Sequence, residues 1–399
     1  MGLPRVAWLT PFVPDRNGGG GQIRQAYLLR ALSETAAICL YSNQPLTDPA
    51  VQAAVLSFEL VDVPAIDWGK RSKWSRRLRD LMVVLHGREP REVANFYRFR
   101  SELAGAVEGL SADAVIVEYA GLAPLIHHRF VPEQPWILTL HNVGSVMEMQ
   151  EAAVYNRGRQ AWLHRRDARI WGRWESEVPS LYDRLVTVST EDAHRFHDRV
   201  GRPPAVVPNG VDTERFQFTE PPTEPSLIFT GALNTGPNFD GLLWFCDQIL
   251  PLIQAQHEHV SLDIVGSNPP PQIRQLSLLP GVSLHADVPD VLPYLRKARV
   301  SIVPLRIGSG TRLKALEAMA AGRPVVGTSI GLDGLNVSHG VHAEIADQPQ
   351  AFSDSVCRLL GDDGRVTDLT TNARRLVEAE YSWDAIGSQF VEVIEDALS

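Results

Sequence analysis

Residues 300–327 read Val-Ser-Ile-Val-Pro-Leu-Arg-Ile-Gly-Ser-Gly-Thr-Arg-Leu-Lys-Ala-Leu-Glu-Ala-Met-Ala-Ala-Gly-Arg-Pro-Val-Val-Gly. The apolar run at 300–303 predicts a buried strand, and a Gly-Ser-Gly turn follows its end. The apolar residues of 311–321 recur at helical spacing, and 324–327 predicts a second strand. A strand, a helix and a strand in this order are typical of a parallel sheet, so the segment indicates an α/β fold.

The same alternation of short apolar runs and helical periods extends over the rest of the chain. Several runs are almost continuously apolar, as expected for strands that are buried on both faces. Further strands are predicted at Arg5–Leu9, Ala36–Tyr41, Leu60–Val63, Ala114–Glu118, Trp136–Leu140, Arg184–Val188, Ala205–Val207, Ser226–Thr230, Ser261–Val265 and Val282–His285. Helices are predicted at 22–33, 240–256 and 288–297. We therefore expect doubly wound sheets, in which ligands bind beyond the carboxyl ends of the strands.

The length of 399 residues is too great for one hydrophobic core and predicts two domains of about 200 residues each. We place an N-terminal domain at 1–212 and a C-terminal domain at 213–381, because the Pro-rich polar stretch 219–225 has the composition of a linker. The amphipathic segment 382–399 is expected to form a closing helix that packs back on the N-terminal domain. A cleft between the two domains is the expected place for a ligand.

Composition and charge exclude several classes of protein. With 44 % hydrophobic and 21 % charged residues, the chain is expected to fold and is not collagen-like, disordered or a coiled coil. No run approaches 18 apolar residues, and the first residues lack the pattern of a secretory signal. Three widely spaced cysteines fit neither a disulfide framework nor a zinc site and indicate a reducing, cytoplasmic compartment. The net charge of −9 lies in the C-terminal half and argues against a nucleic-acid partner.

The turn at 308–310 combines features that bind an anion. Its glycines let the backbone approach a ligand, and Thr311 is expected to cap the helix that follows. The helix N-terminus, Arg312 and Lys314 would then concentrate positive potential at one point. Lys314 is one of four lysines against 34 arginines, and a compact ammonium at this place favours a phosphate contact. A surface pair of Lys314 with Glu317, beside an ordinary helix cap, is the alternative.

Two further strand ends are rich in glycine. The run Gly18–Gly21 follows the first strand and precedes a helix, so its backbone is suited to a close approach to an anion. It fits neither G-x-G-x-x-G nor the Walker pattern, so no nicotinamide site or P-loop is indicated. Residues 229–238, Phe-Thr-Gly-Ala-Leu-Asn-Thr-Gly-Pro-Asn, offer amides that can bond phosphate or hydroxyl groups. A flexible loop and a plain turn are the alternatives.

Three motifs together resemble the family-4 (group 1) retaining glycosyltransferases of the GT-B fold. They are the glycine run 18–21, Val-Pro-Asn-Gly-Val-Asp at 207–212, and Gly-Thr-Arg-Leu-Lys-Ala-Leu-Glu-Ala-Met-Ala-Ala-Gly-Arg-Pro-Val-Val at 310–326. The resemblance implies two Rossmann-like domains that face each other across a cleft, the N-terminal one for the acceptor and the C-terminal one for a nucleotide-diphosphate-sugar donor. It further implies sugar transfer with retention, by front-face attack, without a metal or another cofactor.

The resemblance also assigns roles to individual residues. Glu317 corresponds to the carboxylate that receives the ribose hydroxyls, and Arg312 and Lys314 correspond to the clamp on the diphosphate. His141, at the end of a predicted strand, lies where the family has a histidine beside the transferred sugar. These four residues are the predicted catalytic set. The predicted donor-binding set is Gly19, Gly20, Gly21, Asn209, Gly231, Asn234, Asn238, Arg306, Gly308, Ser309, Gly310 and Thr311.

The sequence departs from the family pattern at two places. The family has two glutamates with seven residues between them, but the position of the first is occupied here by Ser309. The family also places an Arg and a Lys after the first strand of the C-terminal domain, in a region where this chain has Ala232 and Asn238. We expect Arg312 and Lys314 to supply the cations that are lost there.

Basic residues interleaved with aromatic ones bear on the acceptor. Six cations lie in 70–79, and a second basic and aromatic stretch runs over 157–174. Such segments suit an anionic bilayer or a lipid-linked acceptor, and solvated helix faces are the equal alternative. We expect a glycan, lipid-linked or small-molecule hydroxyl acceptor for a cytoplasmic protein. Peripheral attachment to the inner face of the plasma membrane stays open.

Neither a nucleophile nor a general base stands out. Glu118 and Glu191 lie near strand ends, where we expect each to have a structural role. A non-catalytic nucleotide-sugar-binding homologue, acting as a regulatory or partner subunit, is the alternative to an enzyme. The presence of Glu317, of His141 and of the glycine run favours the enzyme. No motif is placed for pyridoxal phosphate, which disfavours a phosphorylase of similar fold.

Overall fold

The computed structural model describes residues 2–61, 89–128, 133–155, 158–308 and 310–399. The chain forms two compact units: the residues up to Val207 together with Gly387–Ser399, and Pro208–Ile386. The division between them lies a few residues before the boundary at 212 that the sequence suggests.

The Pro-rich stretch 219–225 does not connect the units. It lies inside the second one, where Arg323 donates a hydrogen bond to the carbonyl of Thr219 and Arg299 donates one to the carbonyl of Pro222 (3.0 Å). Its prolines therefore shape a packed segment.

The first unit alternates strands and helices. Its strands are β1 (Arg5–Leu9), β2 (Ala37–Ser42), β3 (Ser57–Leu60), β4 (Ala114–Glu118), β5 (Trp136–Leu140), β6 (Arg184–Thr187) and β7 (Ala205–Val206). Its helices are α1 (Gly20–Leu32), α2 (Pro49–Ala54), α3 (Arg91–Asn95), α4 (Tyr97–Ala106), α5 (Gly144–Tyr155), α6 (Arg159–Glu177) and α7 (Thr190–Val200), with 3₁₀ turns at Ala120–His128 and Pro179–Leu181. The strands pair in parallel in the order β3-β2-β1-β4-β5-β6-β7.

The core of this unit follows from its apolar strands. Every residue of β4 and β5 is buried, as expected for central strands covered on both faces. The C-terminal segment adds to this core, because the ring of Phe390 meets the buried ring of Trp8 edge-on, with centroids 5.8 Å apart. Residues from Gly387 onwards thus complete the first unit.

The second unit repeats the pattern. Its strands are β8 (Ser226–Thr230), β9 (Ser261–Gly266), β10 (Val282–Ala286), β11 (Val300–Val303), β12 (Val325–Gly327) and β13 (Glu344–Ile345). Its helices are α8 (Gly236–Trp244), a π-helical turn (Phe245–Ile249), α9 (Leu250–Gln254), α10 (Pro271–Leu276), α11 (Leu292–Lys297), α12 (Leu313–Ala320), a 3₁₀ turn (Ile330–Leu332), α13 (Pro349–Gly361) and α14 (Asp363–Glu380), and α15 (Trp383–Leu398) starts here and continues into the first unit. The strand order is β10-β9-β8-β11-β12-β13, again parallel.

Each sheet has one point where the strand order changes direction. In the first sheet it lies between β1 and β4, and in the second between β8 and β11. Loops at the carboxyl ends of these strands diverge and leave room for a ligand. The glycine run 18–21 follows β1, and the turn at 308–310 follows β11.

The structure corrects the predicted elements in three places. The strand expected at Leu60–Val63 lies at Ser57–Leu60, where mostly exposed side chains give no apolar run. Strand β13 has no sequence signal, because it is two residues long and begins with a charged residue. The helix expected from residue 288 begins at Leu292, whose N–H donates to Asp290 Oδ1 (3.1 Å).

Candidate functional site

Lys314, in the first turn of α12, reaches the end of β8. Its Nζ donates a hydrogen bond to Asn238 Oδ1 (2.6 Å) and lies 3.9 Å from the centre of the Phe229 ring. Burial lowers the pKa of Lys314 well below its ordinary value; the neighbouring Arg312 lowers it further and Glu317 raises it. An ammonium has three N–H donors, so the amide of Asn238 does not saturate it.

Gly231 makes this approach possible. Its φ of +145° belongs to a region that side chains rarely adopt, and a Cβ there would lie 2.9 Å from Lys314 Nζ and 2.9 Å from Asn238 Nδ2. The Asn238 amide in turn donates to the carbonyl of Ala232 (2.8 Å). Asn234, in the same loop, is exposed. The backbone after β8 therefore comes as close to Lys314 as a glycine permits.

Glu317 lies one turn after Lys314 on the same helix. Burial raises the pKa of Glu317 to about 7, against the opposing effect of Arg215 and Lys314, and Asp290 raises it further. Arg215 and Asp290 pair at 2.9 Å. The carboxyl group thus changes its charge close to neutral pH, and in its ionised form it can accept hydrogen bonds from hydroxyl groups.

The turn after β11 is shaped by glycine. Gly308 has a φ of +131° and Gly310 a φ of +79°. A Cβ on Gly308 would lie 2.5 Å from Arg312 Nη2, and the Arg312 guanidinium also donates to the carbonyl of Ile330 (3.2 Å from Nη2). The Arg312 guanidinium thus lies against the backbone of the turn. Ser309 lies outside the described residues.

The prediction that Thr311 caps α12 is wrong. The N-cap position belongs to Arg312, whose side chain bonds no helix N–H group. Thr311 is instead bound by Asn209: the Asn209 N–H donates to Thr311 Oγ1 (3.3 Å), and Asn209 Nδ2 donates to the Thr311 carbonyl (3.1 Å). These two hydrogen bonds hold Thr311, the residue that directly follows the turn at 308–310.

Arg306 has a different environment. It forms a two-pronged ion pair with Asp240 (2.9 and 2.5 Å), and its guanidinium lies 5.4 Å from the centre of a Trp244 ring. The structure therefore places Arg306 against α8, outside the group formed by Lys314, Asn238 and Gly231.

In the first unit, the glycine run contacts the end of β4. The Gly19 N–H donates to Gln22 Oε1 (3.1 Å), and α1 begins at Gly20. A Cβ on Gly21 would overlap the hydroxyl oxygen of Tyr119. The absence of a side chain at Gly21 therefore lets the first turn of α1 lie directly against Tyr119.

His141 follows β5 and is held from two sides. Its Nε2 lies 2.8 Å from Glu118 Oε2, and the Thr139 hydroxyl donates to the same oxygen. Its ring stacks on the Tyr119 ring, with centroids 4.2 Å apart and planes 2° from parallel. The Glu118 carboxylate is fully buried, whereas His141 keeps 11 % of its side chain exposed. A buried acid and an aromatic ring thus fix the imidazole.

Arg24, in the helix that starts in the glycine run, adds a buried positive charge. It is buried on α1, and this burial lowers the pKa of Arg24 to about 10, against the opposing effect of Glu118 and Tyr119. The buried guanidinium of Arg24 and the buried acid Glu118 thus interact electrostatically.

Several residues of this arrangement are not predicted by the sequence. It indicates a structural role for Glu118 and gives no sign of Tyr119, Arg24, Arg215 or Asp290. One signal was present: the strand Ala-Val-Ile-Val-Glu ends an apolar run with an acid. Long-range partners such as Arg215 and Asp290 leave no local pattern.

The second basic and aromatic stretch is partly a core element. Trp171 and Trp174 are buried and pack edge-on, with centroids 5.2 Å apart, so neither ring is available to a membrane. Trp162 is 57 % exposed. The first basic stretch, 70–79, lies outside the described residues. Among the helices of the described part of the chain, none combines the length and apolarity needed to cross a membrane.

Comparison with solved structures identifies the fold class as GT-B. Over 98 % of both chains, the structure superposes on sucrose-phosphate synthase from Thermosynechococcus elongatus with a TM-score of 0.73 at 16 % identity. Anabaena HepE in complex with UDP-glucose gives a TM-score of 0.60 at 14 % identity, covering 98 % of this chain and all of that one. At these identities the likeness concerns the fold alone.

Sequence comparison gives the family. Residues 53–215 match the model of Glycosyltransferase Family 4, and residues 224–362 match that of Glycosyl transferases group 1. The chain belongs to the group 1, family 4 glycosyltransferases.

Two curated relatives match part of the chain. The D-inositol 3-phosphate glycosyltransferase of Xylanimonas cellulosilytica is 27 % identical over 56 % of this chain and 59 % of its own length. The phosphatidyl-myo-inositol mannosyltransferase of Propionibacterium freudenreichii is 25 % identical over 53 % and 56 %, respectively. The chain thus spans little more than half the length of these relatives.

Proposed function

We propose that this chain is a glycosyltransferase that moves a sugar from a nucleotide-diphosphate-sugar donor to a hydroxyl acceptor. The supporting observation is the group formed by Lys314, Asn238 and Gly231, with Glu317 one helical turn away. This group combines a cation, a backbone segment that carries no side chain at Gly231, and a carboxylate. It lies at the point where ligands bind in doubly wound sheets. We assign the donor to the second unit and the acceptor to the first.

The main chemical requirement of such an enzyme is to stabilise the leaving group. A nucleoside diphosphate departs with added negative charge as its bond to the sugar breaks, and fixed cations stabilise that charge without reorganisation. We assign this work to Lys314 and Arg312, the latter held beside Gly308. Both cations are part of the protein, so the proposed reaction needs no metal and no other cofactor. The Glu317 carboxylate accepts hydrogen bonds from the ribose hydroxyls of the donor.

Retention at the anomeric carbon is part of the proposal. The acceptor attacks from the face that the leaving group vacates, and a donor phosphate oxygen takes its proton. We assign His141, just after β5 at the carboxyl edge of the first sheet, to the neighbourhood of the transferred sugar.

For the donor and acceptor classes, the relatives supply the support. A complex of a GT-B neighbour with UDP-glucose favours a nucleotide sugar. The names of two relatives, a D-inositol 3-phosphate glycosyltransferase and a phosphatidyl-myo-inositol mannosyltransferase, favour a small-molecule or lipid-linked hydroxyl acceptor, with a glycan as the further option. We propose no nucleic-acid partner.

A peripheral membrane contact is the finer part of this proposal. Arg165, Arg169 and Arg173 are exposed at intervals of four residues along α6, and the exposed Trp162 lies on the same side. We place this face against anionic lipid on the cytoplasmic side of the membrane. Flotation with anionic liposomes at low salt should carry the protein with the vesicles; a protein that stays behind would remove the membrane contact.

The test of the proposed function is turnover. The protein is incubated with a panel of nucleotide-diphosphate sugars and hydroxyl acceptors, with and without EDTA, and the released nucleoside diphosphate is measured. We expect release that depends on acceptor and is unaffected by EDTA, and a product with the anomeric configuration of the donor by NMR. Donor binding without any release would leave the non-catalytic homologue as the better description.

A further inference from the structure

We propose that Glu118 is a positioning residue for His141. Its buried carboxylate keeps the proton of the neutral imidazole on Nε2 and fixes the orientation in which the His141 ring meets a substrate. This inference rests on the proposed function for the identity of the substrate, and concerns a residue that the sequence alone predicts to be structural.

The topology places the two residues together. β4 and β5 are neighbours in the parallel sheet, and Glu118, the last residue of β4, is in register with Thr139 on β5. His141 comes two residues after Thr139, just beyond the strand end. The pair therefore lies at the carboxyl edge of the sheet, beside the point where the strand order changes direction between β1 and β4.

The carboxylate is costly to bury at this place. Glu118 has no exposed surface, and its Oε1 has no hydrogen-bond partner among the described residues. Its Oε2 accepts hydrogen bonds from the Thr139 hydroxyl and from His141. The buried cation Arg24 interacts with it electrostatically. An apolar residue would complete this strand without the desolvation cost, so the acid is better explained by what it does to His141.

The contact determines which ring nitrogen carries the proton. An ionised carboxylate only accepts hydrogen bonds, so Nε2, at 2.8 Å from Glu118, must be the donor. In the neutral ring Nδ1 then carries the lone pair. This arrangement resembles the general use of a carboxylate to set the tautomer and orientation of a functional imidazole.

Tyr119 fixes the plane of the ring. It stacks on His141 with planes 2° from parallel, and its own φ of +70° is unusual for a residue with a side chain. Such a backbone conformation is strained and tends to occur at functional sites. Gly21 leaves room for the Tyr119 hydroxyl. Glu118 and Tyr119 together thus set both the tautomer and the tilt of His141.

The experiment reads the tautomer directly. The full-length protein is labelled with ¹⁵N-histidine, and spectra are recorded near pH 8, where an ordinary imidazole is neutral. The His141 signals are assigned by their loss in His141→Gln. We expect a protonated Nε2 and an unprotonated Nδ1 in the wild type. In Glu118→Gln the amide can donate or accept, so we expect signals that report both tautomers.

Kinetics supply the second measurement. In Glu118→Gln we expect kcat to fall about 100-fold, the size of effect typical for a misplaced proton-handling group, with the donor KM within about twofold of the wild type. Glu118→Asp keeps the charge and should recover part of the loss. Glu191→Gln makes the same chemical change at an exposed acid of the same unit and should change neither the spectrum nor kcat.

The outcomes separate the possible roles. A folded Glu118→Gln protein with unchanged His141 signals and unchanged kcat would overturn the inference, as would a wild-type ring protonated on Nδ1. A lower melting temperature with an unchanged spectrum and kcat would assign Glu118 a structural role. If the wild type transfers no sugar from any donor, the proposed function fails, and the spectra of wild type and Glu118→Gln still decide the tautomer.

Discussion

The Nζ of Lys314 lies 2.6 Å from the Oδ1 of Asn238, and both side chains close on the backbone of Gly231. Lys314 belongs to the helix after β11, whereas Asn238 and Gly231 follow β8, so the contact joins the two strand ends on either side of the second sheet's change of direction. The region after β8 has an asparagine in place of the cations typical of the family, and a lysine from α12 occupies the space beside it. That Lys314 replaces a lost cation stays a prediction.

Replacing Lys314 with Ala should weaken donor binding about tenfold or more. The change removes the ammonium from the diphosphate, and a charge-assisted hydrogen bond of this kind contributes about 1.5–3 kcal/mol. Titration calorimetry with the nucleoside diphosphate measures the effect. Lys297→Ala removes an exposed lysine of the same unit and serves as the control. Equal affinities of the Lys314 variant and the wild type would contradict the assigned role.

Replacing Gly231 with Ala should weaken donor binding and destabilise the second unit. The new Cβ meets Lys314 Nζ and Asn238 Nδ2 at 2.9 Å each, and the φ of +145° is strained for alanine. We expect a loss of about 1–3 kcal/mol in the free energy of unfolding, measured by urea denaturation. Gly361→Ala, at a helical glycine with open space around it, is the matched control and should be neutral or slightly stabilising. A Gly231 variant as stable as this control would show that the loop adapts freely.

Much of the fold could be predicted because its strands are locally distinctive. β4 and β5 are apolar throughout, and their predicted bounds agree with the structure. β3 could not be placed, since an exposed edge strand has no apolar run to mark it. The boundary near residue 212 rested on composition alone, and composition does not distinguish a Pro-rich linker from a Pro-rich segment held by Arg299 and Arg323.

The candidate site could be predicted only where one segment carries its chemistry. Lys314 and Glu317 share a helix with a glycine turn, so their proximity is visible in the sequence. The contact of Lys314 with Asn238 joins residues far apart in the chain, and nothing local specifies it. Thr311 has the sequence position of a helix cap, but its hydroxyl accepts a hydrogen bond from the Asn209 N–H. This contact is visible only in the three-dimensional structure.

Replacing Gly21 with Ala should destabilise the first unit, because the new Cβ overlaps the Tyr119 hydroxyl. We expect a loss of about 1–3 kcal/mol in the free energy of unfolding, as is typical of overpacking. Tyr119→Phe removes the hydroxyl and should restore part of this loss in the double variant, so the two changes should be non-additive by at least about 0.5 kcal/mol. Gly105→Ala, at a helical glycine without close neighbours, is the control. Strictly additive effects would mean that Gly21 and Tyr119 do not interact.

Replacing Glu317 with Gln should stabilise the ligand-free protein at alkaline pH and leave it unchanged in acid. Burial raises the pKa of Glu317 to about 7, whereas an unfolded glutamate titrates near pH 4.3. Between these values the unfolded chain loses its proton first and therefore binds fewer protons than the folded one, so stability falls as the pH rises from about 4.3 to 7. Above pH 7 the folded state carries the full cost of ionising this partly buried acid, which Arg215 and Lys314 offset only in part.

Glutamine keeps the shape of Glu317 and cannot ionise, so the Glu317→Gln protein should lack this loss of stability. We expect its melting temperature to exceed that of the wild type by about 2–4 °C at pH 8, which corresponds to about 1 kcal/mol in a domain of this size, and the gain should shrink towards pH 5. The same variant should bind the donor more weakly at pH 8, because an ionised acceptor of the ribose hydroxyls is lost. Glu220→Gln, at an exposed acid of the same unit, should show neither effect. A gain that is equal at pH 5 and pH 8 would contradict the raised pKa, since only the ionised form of Glu317 makes the folded state less stable.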